Sequence, residues 1–133
     1  MSHQYMLDTN TVSVLLRQNA KVIKRIVETP LTALCMSVIT ESELLYGLAK
    51  RPDASRLHAA VHELLRRVDV LPWSRLAAQR YGTVRAGMEN KGKVLAPLDM
   101  QIASHALGAG AALVTNDRAF KQVPGLALED WTV

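Results

Sequence analysis

Short apolar runs, spaced by stretches of helical periodicity, constrain this chain more than any other feature. Tyr5-Met6-Leu7, Thr32 to Ser37 and Ala111 to Val114 lack the polar alternation of a strand with one wet face. Runs of this kind belong to strands buried on both faces, which in practice means a parallel sheet covered by helices on each side. Val68 to Pro72 reads as another short strand, and Leu126-Ala127-Leu128 as a last one.

The intervening segments supply the helices. Ala20 to Glu28 sets Val22, Ile23, Ile26 and Val27 on one face and Lys21, Lys24 and Arg25 off it, and Asp53 to Arg67 does the same with Leu57, Val61, Leu64 and Leu65. Val12 to Arg17 and Val38 to Leu48 complete the first half. Ser74 caps a long helix through Leu76, Tyr81, Val84 and Met88, which Lys91-Gly92-Lys93 breaks, and Pro97 opens a further helix to about Leu107, ended by Gly108 and Gly110. The expected architecture is α/β, a central parallel sheet of about four to five strands flanked by helices. With 133 residues and no repeat or linker, residues 1–133 are expected to form a single domain.

Composition narrows the function classes. No apolar stretch reaches the ~18 residues of a membrane span, and the first residues lack a basic start followed by an export segment, so a cytoplasmic protein without a membrane partner is expected. Cys35, the single cysteine, has no internal disulfide partner. The net charge of +4 favours polyanionic partners without naming one.

Four acidic residues fall where a parallel sheet exposes its functional edge. Asp8 follows the first strand, Asp117 follows the Ala111 to Val114 strand, and Glu43 and Asp99 are placed in the first turns of helices. Each has an ordinary structural explanation. Thr40-Glu41-Ser42-Glu43 fits a capping box, Asp8 fits a helix cap, Asp99 suits the positive end of a helix dipole, and Asn116-Asp117 suits a turn. Together, four converging carboxylates would repel one another unless a cation neutralised them, and oxygen-only ligands select hard ions such as Mg²⁺ or Mn²⁺.

The same residues carry a resemblance. Met6-Leu7-Asp8-Thr9-Asn10 resembles the opening of PIN domains. Ser37-Val38-Ile39-Thr40 with Glu43-Leu44 and Tyr46-Gly47 resembles their second motif as it occurs in VapC toxins. Pro97-Leu98-Asp99 with Ile102-Ala103 and His105-Ala106 resembles the third, and Val114-Thr115-Asn116-Asp117 with Phe120, Pro124-Gly125-Leu126 and Glu129-Asp130-Trp131 the closing segment. The match runs from about Met6 to Trp131, departing at Leu95-Ala96, where related toxins often have Ile-Gly.

This resemblance implies a PIN-like nuclease domain in which Asp8, Glu43, Asp99 and Asp117 bind Mg²⁺ or Mn²⁺ and catalyse RNA hydrolysis. It further implies an endoribonuclease toxin, with tRNA, including the initiator tRNA anticodon region, as substrate. A homodimer and a cognate VapB-type antitoxin that occludes the acidic pocket are implied as well. The residues alone leave two rivals, a non-catalytic RNA-binding regulator and a metal-dependent DNA nuclease or phosphatase on the same fold.

Other constellations carry less. His58 and His62 stand four apart on one helix but lack the Glu of a metalloprotease motif, and His105 reads as a helix-packing residue. No dinucleotide loop, Walker motif or serine-hydrolase elbow is present. Arg80, Arg85, Lys91 and Lys93 are read either as a phosphate track toward the acids or as a solvated surface.

Overall fold

The computed structural model describes residues 3–133. Five strands and six helices follow one another as β1 (Tyr5–Leu7), α1 (Thr9–Leu16), α2 (Ala20–Glu28), β2 (Leu34–Ser37), α3 (Val38–Ala49), α4 (Ser55–Arg67), β3 (Asp69–Leu71), α5 (Arg75–Asn90), α6 (Pro97–Ala109), β4 (Ala112–Val114) and β5 (Leu128–Glu129). All strand pairs are parallel, in the order β3-β2-β1-β4-β5, with Met6 opposite Cys35 on one side and Leu113 on the other.

The expected strand and helix pattern is present, with shifted ends. α1 begins at Thr9 because Asp8 caps it, and Thr32-Ala33 belongs to a 3₁₀ turn (Leu31–Ala33) that delays β2 to Leu34. The last strand is Leu128–Glu129, two residues later than Leu126-Ala127-Leu128. Among the described residues no helix is long and apolar enough to cross a membrane.

Strand side chains alternate faces, so the sheet separates two apolar cores. Met6, Cys35 and Leu113 meet Met88 of α5 and Met100, Ile102, Ala103 and Ala106 of α6 on one face. Leu7, Leu34, Met36 and Val114 meet Val12, Val22, Leu44, Leu48, Val61 and Trp131 on the other. Both faces of β1, β2 and β4 are therefore dry, which is why their sequences read as unbroken apolar runs.

Crossovers from β1 run to β2 on one side, while β4 pairs on the other side of β1. The gap between β1 and β4, at their carboxyl ends, is thus the place where the strand order reverses. Loops and helix starts diverge there and leave a crevice.

Candidate metal and catalytic site

Asp8 and Asp117 leave the carboxyl ends of β1 and β4 at that crevice. Asp8 is only 3% exposed. Its amide donates to the Val114 carbonyl at 3.1 Å, and its side chain caps α1 by accepting from the Thr11 amide at 2.7 Å. Thr11 also fastens α1 to β4, its hydroxyl donating to the Val114 carbonyl at 2.8 Å. The Thr115 hydroxyl accepts from the Asp117 amide at 3.0 Å and donates to Asp8, linking the two acidic loops. Burial pushes the Asp8 carboxyl above the usual range, hydrogen bonds from Thr115 and Thr11 oppose this, and Asp117 adds repulsion in the same direction as burial.

Asp117 caps the 3₁₀ turn Arg118–Gln122, one oxygen accepting from the Ala119 amide at 2.9 Å. Asp99 is the third residue of α6, behind Pro97, in a turn whose N-cap, Ala96, offers no side-chain bond. Its carboxyl is also raised, first by burial and then by repulsion from Asp117, Glu43 and Asp8. Helix capping and dipole complementarity are therefore real at Asp8, Asp99 and Asp117, and they coexist with a shared electrostatic environment.

Glu43 differs from its expected placement. Ser37, not Thr40, caps α3, accepting from the Ile39 amide at 3.0 Å, so the helix starts at Val38 and Glu43 lies in its second turn. The expected capping box does not form. Thr40 is buried inside the helix, and the Glu43 carboxylate accepts from the Thr9 hydroxyl at 2.6 Å.

The structure brings all four sequence-selected acids to one cavity of about 230 Å³, which Thr9, Asn10 and Ile102 complete. Among the described residues no three His, Cys, Asp or Glu side chains are already gathered tightly enough to hold an ion by themselves. Mg²⁺ takes one or two carboxylates directly and fills the rest of its shell with water, so a site for it needs no closed set of protein ligands. The acidic donors of the cavity are all oxygen, the donor type that hard divalent ions prefer. The residues fit a hard divalent ion.

Sequence reasoning missed Thr9 and Asn10 as cavity residues. The cations read either as a phosphate track or as a solvated surface lie on α5 and just after it. Arg85 is tied to Glu89 at 3.1 Å and to the Tyr81 hydroxyl at 2.6 Å, and with Lys93 it lines a separate hollow between α5 and α6. The basic residues that do adjoin the acids are Lys50 and Arg51, in a cavity sharing Thr9 and Glu43 with the acidic one, and Arg118 and Lys121, in a cavity sharing Asp117. They sit at a helix end and in a short turn, where no periodic pattern points to them. His105 packs as expected: it is 3% exposed, and Nδ1 lies 2.7 Å from the Ser37 hydroxyl.

The PIN domain family matches residues 5–126. The chain is 36% identical to the tRNA(fMet)-specific endonuclease VapC of Salmonella typhimurium, over 96% of this chain and 98% of that protein. It is 34% identical to the Ribonuclease VapC2 of Haemophilus influenzae, over 96% and 98%. Among solved structures, DNA-bound VapBC from Salmonella typhimurium superposes with a TM-score of 0.91 at 35% identity, covering 97% of this chain and 98% of that one. With fold and near full-length similarity in agreement, the chain belongs to the PIN-domain family, among its VapC members.

Proposed function

We propose that this protein is a Mg²⁺- or Mn²⁺-dependent endoribonuclease toxin that hydrolyses phosphodiester bonds in RNA and is neutralised by a VapB-type antitoxin. The observation that carries the reading is the convergence of Asp8, Glu43, Asp99 and Asp117 on one cavity at the strand-order switch point. When bound, the ion activates water and neutralises charge on the phosphoryl group. Asp8 and Asp99 hold it, Asp8 from a rigid strand end and Asp99 from the first turn of α6. Glu43, oriented by Thr9, and Asp117, oriented by its own turn, position water around the ion.

The names of the relatives support the substrate class. One acts on tRNA(fMet), which makes tRNA the preferred substrate here, and the relatives solved as VapBC support a VapB-type partner. A homodimer belongs to the same reading, and exposed apolar side chains, among them Leu45 of α3 and Leu98 of α6, are available to it. The proposed place of action is the cytoplasm, where tRNA is found.

The test is to incubate the purified protein with total RNA and Mg²⁺ or Mn²⁺, with and without excess chelator, and to map the new ends. Discrete ends in tRNA that vanish with chelator are expected. Cleavage undiminished by chelator would overturn the metal assignment.

A further inference from the structure

One face of α3 continues outward from the acidic cavity. Residues 43, 46, 47 and 50 follow helical spacing, so Glu43, Tyr46, Gly47 and Lys50 lie along a single stripe. Glu43 lines the acidic cavity, and Gly47, Lys50 and Arg51 line the adjoining cavity of about 260 Å³. Tyr46 is 65% exposed, and the Lys50 ammonium rests 4.6 Å from its ring centroid. From Glu43 the helix rises about 5 Å to Tyr46 and about 10 Å to Lys50.

Gly47 adds an independent observation. A Cβ built there meets nothing within 4 Å, so no neighbour within the chain requires a glycine, although glycine weakens a helix relative to alanine. The space beside the helix backbone is open at the floor of the stripe. An exposed aromatic ring, a cation beside it and open space along the helix backbone are features that suit single-stranded nucleic acid: a platform for a base beside a charge for a phosphate.

We propose that this face of α3 is a nucleotide-binding ledge. It holds the RNA residue next to the cleaved bond, with the base stacked on Tyr46 and the backbone phosphate at Lys50 and Arg51. The proposal rests on the RNA-cleavage reading and extends it to substrate positioning. Lys50 shields one ring face in the free protein and turns to the phosphate when RNA arrives. The acids take the scissile phosphate through the ion, while the ledge fixes which neighbouring nucleotide can be accommodated.

The experiment is single-turnover cleavage of an oligoribonucleotide spanning the mapped cut site, compared with versions carrying an abasic residue at each flanking position. On intact RNA, Tyr46→Ala should raise the half-saturating protein concentration roughly tenfold, the size of one base stack, and Tyr46→Phe should not. On the RNA lacking the stacked base, Tyr46→Ala should add nothing further. Lys50→Ala and Arg51→Ala should each flatten the dependence of log affinity on log salt by roughly 0.7. Gly47→Leu, whose Cβ enters open space, should also weaken binding. Unchanged half-saturation in Tyr46→Ala with normal metal-dependent cleavage overturns the ledge alone. A change of oligomeric mass in Tyr46→Ala with no dependence on the abasic position overturns it in favour of a protein contact. Absence of metal-dependent cleavage by the unaltered protein removes the underlying reading, and the ledge with it.

Discussion

The Thr9 hydroxyl donates to the Glu43 carboxylate at 2.6 Å, so the first residue of α1 holds an acid from the second turn of α3. This contact joins the β1 and β2 crossovers directly above the sheet edge. Without it Glu43 keeps its place on the helix but loses its orientation, because a glutamate has three rotatable bonds. Thr9→Val removes the hydroxyl while keeping the shape. It should cost about 0.5–1.5 kcal/mol of stability, as a single hydrogen bond does, and slow cleavage by more than that loss of folding explains. Thr9→Ser should restore both. Melting curves and single-turnover rates on the two variants check this, and a normal rate in Thr9→Val would show that Glu43 needs no such orienting.

Asp99→Asn should separate activity from stability. Asp8 and Asp99 both have raised carboxyl values in the folded protein, so the fold binds their protons more tightly than the unfolded chain does. The stability linked to them is fully present below the ordinary value of 3.8 and is lost as pH rises through the raised folded value. In metal-free buffer near neutral pH, Asp99→Asn should therefore melt no lower than the unaltered protein, and higher if relief of repulsion dominates. Its cleavage rate with Mn²⁺ should fall on the order of a thousandfold, several kcal/mol of lost charge stabilisation. A helix-dipole role alone would give the reverse, a loss of roughly 0.3–1 kcal/mol with cleavage spared.

The placement of the acids was legible because strand ends are legible. Asp8 and Asp117 follow apolar runs too short to be anything but buried strands, and Asp99 sits just behind Pro97, a helix opener. Glu43 was legible as an acid of the same edge but not in its helical position. Ser37 and Thr40 are both competent caps three residues apart, and only the register of β2, with Ser37 opposite Leu71, decides between them. The strand order was hidden for a related reason: which side of β1 each crossover takes depends on packing across the whole sheet. Thr9, Lys50 and Arg51 reach the site through tertiary contacts that no local pattern encodes.

His105 bridges α6 and the start of α3. Its Nδ1 lies 2.7 Å from the Ser37 hydroxyl, which itself accepts from the Ile39 amide. Burial holds the imidazole below the ordinary value of 6.5, the Pro72 backbone opposing. A depressed folded value contributes stability that is present above the ordinary value and lost as pH falls through the folded one. In metal-free protein His105→Gln should therefore shift the dependence of melting temperature on pH below the ordinary value, the parent faring worse relative to the variant as pH falls. Equal slopes for the two proteins would mean that His105 does not titrate with unfolding.

Gly108 tests the frame that carries Asp99. Near the end of α6, a Cβ at this position would approach the backbone of α5 at 3.2 Å from both Ala77 Cα and Ala77 N. These are main-chain atoms, not the flexible end of a side chain, so the only relief is to move one helix from the other. The two helices pack together over the core formed by Met88, Met100, Ile102 and Ala106, and that packing resists even the few tenths of an ångström the Cβ requires. Gly108→Ala should destabilise by about 1–3 kcal/mol, the usual cost of overpacking, even though alanine is the better helix former by about 0.5–1 kcal/mol. Gly47→Ala, in open space on α3, carries only the propensity gain and should stabilise by a similar fraction of a kcal/mol. The pair therefore has opposite signs for the same chemical change. Denaturant titrations of the two variants check this, and a Gly108→Ala protein as stable as its parent would mean that α5 and α6 slide apart at no cost.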